Sequence, residues 1–206
     1  MKTTLLASST LALAALATPA HADFSGPFAP ANWTTTTTGT LLNPGSLGSA
    51  TFTTSQLTLV GGDVANPTGD VGCSGSTYGF IGPCEVMTKI SATGSFAFHW
   101  AYTTADGAGP AGDIFGLLVD GTRIQLSDPG GAISQSGDRT FSASSSLGWF
   151  LNCTDCTGGA ATAIVSRFTT VQAVPEPESY ALMAAGLALL GVVVRRRREA
   201  RDSSRA

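Results

Sequence analysis

Residues 95–102 read SFAFHWAY and alternate strictly between large aromatic side chains and smaller ones. Successive side chains of a β-strand point to opposite faces, so the aromatic residues share one face. Two alanines and a histidine lie on the other face, and small residues opposite large ones are typical of a strand inside a packed sheet. We therefore predict a central strand that is buried on both faces, with one face formed by Phe96, Phe98, Trp100 and Tyr102.

The segment that follows, residues 114–126, reads IFGLLVDGTRIQL and predicts a β-hairpin. Its two apolar runs flank Asp120-Gly121, a pair that favours the tight two-residue turn of a hairpin. Further strands are predicted at 33–40, 51–60, 139–144, 147–151 and 162–168. About eight short strands without helical periodicity are typical of an all-β fold, so we predict a single antiparallel β-sandwich or jelly roll.

Composition limits the function of this domain. Only 12% of the residues are charged, about half of the usual fraction. Between residues 23 and 173 there are ten acidic residues and only four basic ones. Domains that bind nucleic acid are basic, so we predict no nucleic-acid partner.

Residues 1–22 read MKTTLLASSTLALAALATPAHA and have the three parts of a secretory signal peptide. Lys2 precedes a short apolar stretch, which ends in an Ala-x-Ala sequence at Ala22. Small residues at these positions fit the signal peptidase. We therefore predict a signal helix that is removed after Ala22, so that the mature chain begins at Asp23.

Residues 174–206 form a second segment in three parts. They are Pro175-Glu176-Pro177 within 174–179, an apolar helix over 180–194, and a basic tail over 195–206 that begins with Arg195, Arg196, Arg197 and Arg198. A helix of that length measures roughly 22 Å against a hydrocarbon core of about 30 Å, and arginine side chains can reach the interface. We predict a thin single-pass transmembrane helix with its tail in the cytoplasm and residues 23–179 outside.

This three-part end resembles the PEP-CTERM sorting signal, and the middle of the chain is similar to the small β-sandwich ectodomains found in proteins that carry it. The resemblance implies processing by an exosortase near Pro175-Glu176-Pro177, after a transient stay in the inner membrane of a Gram-negative bacterium. It also implies a link to exopolysaccharide, biofilm and floc formation. We expect three parts: signal peptide 1–22, ectodomain 23–173 and sorting signal 174–206.

We expect this protein to have a structural or adhesive role at the cell surface or in the extracellular matrix, without catalysis of its own. The alternative is a secreted carbohydrate-binding module that stacks sugars on exposed aromatic residues, the candidates being Trp33, Tyr78, Tyr102 and Trp149. A secreted hydrolase is less favoured, because the mature chain has one histidine, His99, and no nucleophile-elbow motif.

Four cysteines lie in the exported segment: Cys73, Cys84, Cys153 and Cys156. An even number of cysteines outside the cytoplasm predicts disulfide bonds. Of the three possible pairings we favour Cys73–Cys84 with Cys153–Cys156, the first of which closes a Gly- and Pro-rich loop. A Cys-x-x-Cys redox centre and a four-cysteine zinc site are the alternatives.

Two acidic loops are candidate calcium sites. Asp106 and Asp113 lie at the ends of the loop DGAGPAGD, and Asp63 and Asp70 bracket another loop. Carboxylate oxygens on flexible loops are the ligands that Ca²⁺ prefers. Solvated turn residues are the alternative, and the sequence predicts no other cofactor.

Overall fold

The computed structural model describes residues 23–41, 44–64, 73, 84–107, 109–154, 156–171 and 177–203. The chain divides into two compact units, one ending at Val171 and one beginning at Gln172. The first unit is built from β-strands and the second from a single helix. The predicted signal helix lies outside the described residues.

The first unit contains the following strands: β1 (Thr34–Thr38), β2 (Gly45–Ser46), β3 (Ser49–Phe52), β4 (Gln56–Val60), β5 (Asp63–Val64), β6 (Cys84–Ser91), β7 (Gly94–Thr103), β8 (Asp113–Val119), β9 (Thr122–Gln125), β10 (Ser134–Ala143), β11 (Ser146–Cys153) and β12 (Thr162–Thr170). Short 3-10 turns lie at Gly26–Phe28, Pro30–Asn32 and Gly109–Ala111.

Most of these strands belong to two five-stranded antiparallel sheets. Sheet 1 has the order β1-β6-β11-β8-β9, and sheet 2 has the order β10-β7-β12-β4-β3. A small third sheet pairs β2 with β5. Consecutive strands often lie in different sheets, so the chain crosses repeatedly between the two layers. The predicted antiparallel sandwich-like fold is confirmed.

Aromatic side chains fill the core of the sandwich. Phe24, Trp149 and Phe168 are at most 1% exposed, and the rings of Phe24 and Phe168 stack with their centroids 5.5 Å apart. The Trp149 ring meets Phe168 edge to face, also at 5.5 Å. Both arrangements are favoured by the quadrupole of the aromatic ring. The predicted aromatic face of β7 is confirmed, since its four rings are all 8% exposed or less.

The other face of β7 differs from the prediction. Ala97, His99 and Ala101 are half-buried, whereas we predicted a strand buried on both faces. The physical reason is that β7 lies inside sheet 2 but forms only one side of the core. Its small residues therefore face outward and leave a depression in the sheet.

The predicted hairpin is formed by β8 and β9. Its turn residues Asp120 and Gly121 have φ values of 50° and 81°, as a two-residue turn with positive φ at both positions requires. The Thr-rich strand β1 is an exposed edge strand, as its sequence indicates. The sequence pattern did not predict β6, although this strand lies between β1 and β11.

The second unit is one helix, α1 (Pro177–Ser203), of 27 residues. Large apolar side chains between Met183 and Val194 are exposed on it. Within the part of the chain that the structure describes, no helix has both the length and the mean hydropathy needed to cross a membrane.

Candidate functional site

A shallow groove of about 410 Å³ runs over the outer face of sheet 2. It lies over the depression that the small residues of β7 leave between β10 and β12. Its lining is dominated by hydroxyl-bearing side chains and includes Ala101, Tyr102, Thr103, Ser134, Gln135, Ser136, Thr162 and Ile164. A surface of this kind offers both donors and acceptors of hydrogen bonds without a net charge.

The strand register explains why these residues meet. Ala101 pairs with Ser136 of β10 on one side and with Ile164 of β12 on the other. In the next row Thr103 lies between Ser134 and Thr162, and the Thr103 and Ser134 hydroxyl oxygens are 3.2 Å apart. The groove therefore combines an apolar strip at Ala101 and Ile164 with a row of hydroxyl groups.

A charged cluster lies one row further along the same face. His99 Nδ1 is 2.9 Å from Asp138 Oδ1, and Arg167 Nη2 donates to the same oxygen at 3.3 Å. Arg167 has a φ of 52° and lies where the register between β12 and β7 shifts. A bulge of this kind redirects a side chain. The sequence pattern predicted that His99 is buried in the sheet. Its side chain is instead 28% exposed and paired with Asp138.

The row of Asp138, His99 and Ser166 has the composition of a hydrolytic triad, since Ser166 pairs with His99 in register on β12. A nucleophilic serine also needs donors for a developing oxyanion, normally backbone N–H groups that are free to point at the substrate. The strands on both sides of His99 are paired in the sheet at this row. Hydrolysis is therefore not the function that we propose.

The aromatic residues named as sugar-stacking candidates lie in the core. Trp33 is 8% exposed, Tyr102 is 2% exposed and Trp149 is fully buried. Tyr102 donates its hydroxyl to the Asp113 carbonyl at 2.7 Å, and Tyr78 lies outside the described residues. Among the candidates that the structure describes, none is exposed enough to stack on a sugar ring.

The carboxylate candidates for calcium are divided between different places. Asp106 and Asp113 are buried close to Thr104, whose hydroxyl donates to Asp113 Oδ2 at 2.7 Å. Gly112 packs against the Asp106 carboxylate so closely that a Cβ there would overlap it. Asp63 is half-buried on β5, and Asp70 lies outside the described residues. Calcium binding at Asp106 and Asp113 stays a prediction.

The cysteines form two disulfide bonds, Cys73–Cys84 and Cys153–Cys156. Cys84 and Cys153 are register partners on β6 and β11, so the two bonds lie side by side in a buried cluster with Leu41 and Leu47. The sulfurs of Cys73, Cys84 and Cys156 lie within 4.8 Å of one another. All four sulfurs are bonded in pairs, which leaves no thiolate here to bind zinc.

The described residues thus form a disulfide-bonded antiparallel sandwich and a C-terminal helix that contains consecutive arginines. Residues 173–198 match the family model of the PEP-CTERM protein-sorting motif. The sorting signal inferred from the sequence is thereby confirmed, and the chain is an exported protein that carries an exosortase sorting signal. Of this motif, Pro175 and Glu176 lie outside the described residues, whereas Pro177 begins α1 and Arg195–Arg197 are exposed on it.

Other comparisons give weaker results. Curated protein sequences yield no match. Among solved structures, a family 35 carbohydrate binding module from an environmental isolate has 12% identity and a TM-score of 0.31 and covers 69% of this chain and 93% of the module. The module CBM6cm-2 from Cellvibrio mixtus lichenase 5A has 15% identity and a TM-score of 0.27, with 66% and 98% covered.

A third structure, the secreted serine protease VesC from Vibrio cholerae, has 15% identity and a TM-score of 0.30 over 55% of this chain. The chain spans about a quarter of that protease, 24% of its length. Because all three TM-scores are low, no function of this chain is inferred from these matches.

Proposed function

We propose that this protein is a surface or extracellular-matrix component with a structural or adhesive role linked to exopolysaccharide and biofilm. In this proposal a Gram-negative bacterium exports the chain, holds it briefly in the inner membrane through residues 180–194, and cuts it near Pro175-Glu176-Pro177. The main support for this proposal is the position of the sorting motif. It starts at residue 173, shortly after β12 ends at Thr170. A cut there would release the whole sandwich.

The groove on sheet 2 supports an adhesive contact with a polysaccharide chain. Sugars present many hydroxyl groups, and the groove offers matching donors and acceptors beside the apolar strip at Ala101 and Ile164. The buried aromatic residues speak against the alternative of a carbohydrate-binding module that stacks sugars on Trp33, Tyr102 or Trp149. If the protein is a carbohydrate-binding module, the groove geometry favours binding through hydrogen bonds over stacking on aromatic rings.

Mass spectrometry of the C-terminal peptide, on protein recovered from the native producer, tests the sorting step. We expect a mature chain that ends between residues 174 and 179 in the matrix fraction. An intact C-terminus at Ala206 in inner-membrane fractions would mean a plain single-pass anchor, and the exosortase and matrix proposal would then be wrong.

Co-sedimentation of the processed protein with exopolysaccharide purified from the same producer tests the groove. The variant Ala101→Gln places a larger side chain on the outer face of β7, and we expect it to bind at least about tenfold more weakly, since a filled groove loses several hydrogen bonds. Thr36→Gln on the exposed edge strand β1 is the matched control and should bind like the parent. Equal binding by both variants would exclude the groove as the contact.

A further inference from the structure

The first residues after the predicted signal peptide are part of the folded core. Phe24 is fully buried, and its ring lies 5.7 Å from Trp33 and 5.2 Å from Phe52. The Phe24 N–H donates to the Thr54 carbonyl at 3.1 Å. One residue earlier, the Asp23 N–H donates to the Phe168 carbonyl at 2.6 Å. The chain is therefore hydrogen-bonded to sheet 2 from Asp23 onward.

Asp23 contains a buried polar atom without a partner. Its Oδ1 atom is inaccessible to solvent and receives no hydrogen bond from the described residues. A buried carboxylate oxygen without a donor destabilises a fold, because it has lost its hydration and gained nothing in exchange. Asp23 also has a φ of 68°, a left-handed conformation that few residues other than glycine, asparagine and aspartate adopt.

We propose that cleavage between Ala22 and Asp23 supplies the missing donor, so that removal of the signal peptide completes this part of the fold. This inference rests on the predicted signal-peptidase site and not on the sorting step. Hydrolysis adds one water across the amide bond and leaves a carboxylate on Ala22 and an ammonium group on Asp23. The nitrogen that carried one hydrogen as an amide then carries three.

The geometry allows the new ammonium group to serve both acceptors. One hydrogen continues to bond the Phe168 carbonyl, for which the nitrogen is already in place at 2.6 Å. The Asp23 nitrogen and Oδ1 are separated by four covalent bonds, so they are never more than about 5 Å apart at ordinary bond lengths. When the side chain is gauche to the nitrogen about the Cα–Cβ bond, Oδ1 comes within hydrogen-bond distance of it. In that rotamer a second hydrogen of the ammonium group forms a charge-assisted bond to Oδ1, which is stronger than a bond between neutral groups.

Urea unfolding of two chains that differ by one residue tests the proposal. One is the processed chain 23–206, and the other is 22–206, in which Ala22 turns the Asp23 nitrogen back into an amide. Both are released from a removable fusion that leaves the stated first residue. We expect the unfolding equilibrium constant of the processed chain to be roughly tenfold smaller, the effect of one hydrogen bond to a charged group.

The variant Asp23→Asn, made in both chains, isolates the carboxylate, because asparagine also tolerates the left-handed conformation. We expect the difference between the two chain lengths to shrink to about twofold in this background, since the ammonium group then faces a neutral amide oxygen and not a carboxylate. Asp128→Asn, at an exposed carboxylate on another loop, is the matched control and should leave the difference unchanged.

Equal stability of the two chain lengths, or an undiminished difference in the Asp23→Asn background, would overturn the proposal. N-terminal sequencing of the secreted protein is the second readout, and a first residue other than Asp23 would overturn it as well. Either failure would leave the C-terminal sorting proposal untouched, because that proposal depends on a different end of the chain.

Discussion

Asp120 connects two hairpin turns through its carboxylate. The oxygens accept the backbone N–H groups of Ser144, Ser145 and Ser146 at 2.7–3.1 Å, and the Ser144 and Ser145 hydroxyls also donate to them. These bonds, with the Ser146 backbone contribution the largest, hold the pKa of Asp120 well below its usual value of 3.8. The charged form is therefore the one that ties the β8–β9 turn to the β10–β11 turn.

The variant Asp120→Asn should be less stable at neutral pH and less sensitive to acid. A carboxylate whose folded pKa is depressed stabilises the fold above its unfolded pKa, about 3.9, and the contribution is lost as pH falls from there toward the folded pKa. Urea midpoints measured from about pH 6 to pH 2 should thus fall less steeply for this variant than for the parent. Parallel curves would contradict the assignment. Asp128→Asn is the control, because the Asp128 carboxylate is exposed and accepts the Gly130 N–H.

Glu85 and Arg123 form a bidentate ion pair on sheet 1. The Glu85 side chain is 5% exposed, whereas that of Arg123 is 36% exposed and lies over the Phe150 ring at 4.8 Å from its centroid. Hydrogen bonding to Glu85 is the main cause that raises the pKa of Arg123. The Arg123 guanidinium therefore compensates the lost hydration of the Glu85 carboxylate, which lies in the sheet with little access to water.

Arg123→Met should lower the free energy of unfolding by about 3 kcal/mol, because it leaves the Glu85 charge buried and unpaired. That figure is at the low end for buried pairs, since Arg123 is partly exposed. The double variant Glu85→Gln with Arg123→Met removes the stranded charge and should recover part of the loss. Urea unfolding of the three proteins measures both effects. A double variant less stable than Arg123→Met would contradict the account.

At the scale of elements, the two disulfides lie at the same end of sheet 1 but close loops of different length. Cys73–Cys84 spans a sequence separation of 11 and attaches the segment before β6, whereas Cys153–Cys156 spans only 3 at the end of β11. Gly62 packs against the second bond, with a hypothetical Cβ only 2.7 Å from Cys153 Sγ. Burial of all four cysteines makes these bonds part of the core.

Removing the Cys73–Cys84 disulfide, which closes the longer loop, should lower the free energy of unfolding more than removing Cys153–Cys156. The chain-entropy relation gives about 3 kcal/mol for Cys73→Ala with Cys84→Ala and about 1.5 kcal/mol for Cys153→Ala with Cys156→Ala. Alanine avoids burying a hydroxyl group in the cluster. Urea unfolding under non-reducing conditions compares the two double variants. The opposite order of stability would mean that packing around the cluster outweighs the loop entropy.

At the scale of the whole molecule, the described core ends before the sorting segment begins. Val171 donates its N–H to the Ser95 carbonyl at 2.7 Å, and the second compact unit starts at the next residue. We therefore expect the chain 23–171 to have a Tm within about 2 °C of that of the chain 23–206. The test is sensitive, because a loss of about 1 kcal/mol in the free energy of unfolding shifts Tm by several degrees. Thermal unfolding by circular dichroism measures this. A drop of more than about 5 °C would show that the C-terminal segment stabilises the sandwich.

Much of the fold could be predicted because its signals are local. The alternation over residues 95–102 and the Asp120-Gly121 turn depend on side-chain period and backbone φ, which are properties of a few neighbouring residues. The strand β6 could not be predicted, because Glu85 and Lys89 interrupt its apolar pattern. Its place between β1 and β11 depends on pairing with distant segments, and Glu85 is tolerated there only because Arg123 reaches it.

The candidate site was even less accessible to prediction. Sequence reasoning looked for exposed aromatic residues and loop carboxylates, yet the rings of Trp33 and Trp149 pack against each other in the core at 5.3 Å. The groove is instead lined mainly by serine, threonine and alanine, residue types that carry no distinctive signal on their own. Only the register of β7 with β10 and β12 brings them to one face.

The sequence by itself determined the sorting segment, the all-β class and the aromatic face of the core, because each depends on contiguous residues that act through hydropathy, charge or period. Only the tertiary structure decided which strands share a sheet, which face of β7 is covered and where His99, Asp138 and Arg167 meet. These outcomes depend on contacts between residues 29 to 68 positions apart, which no local pattern specifies.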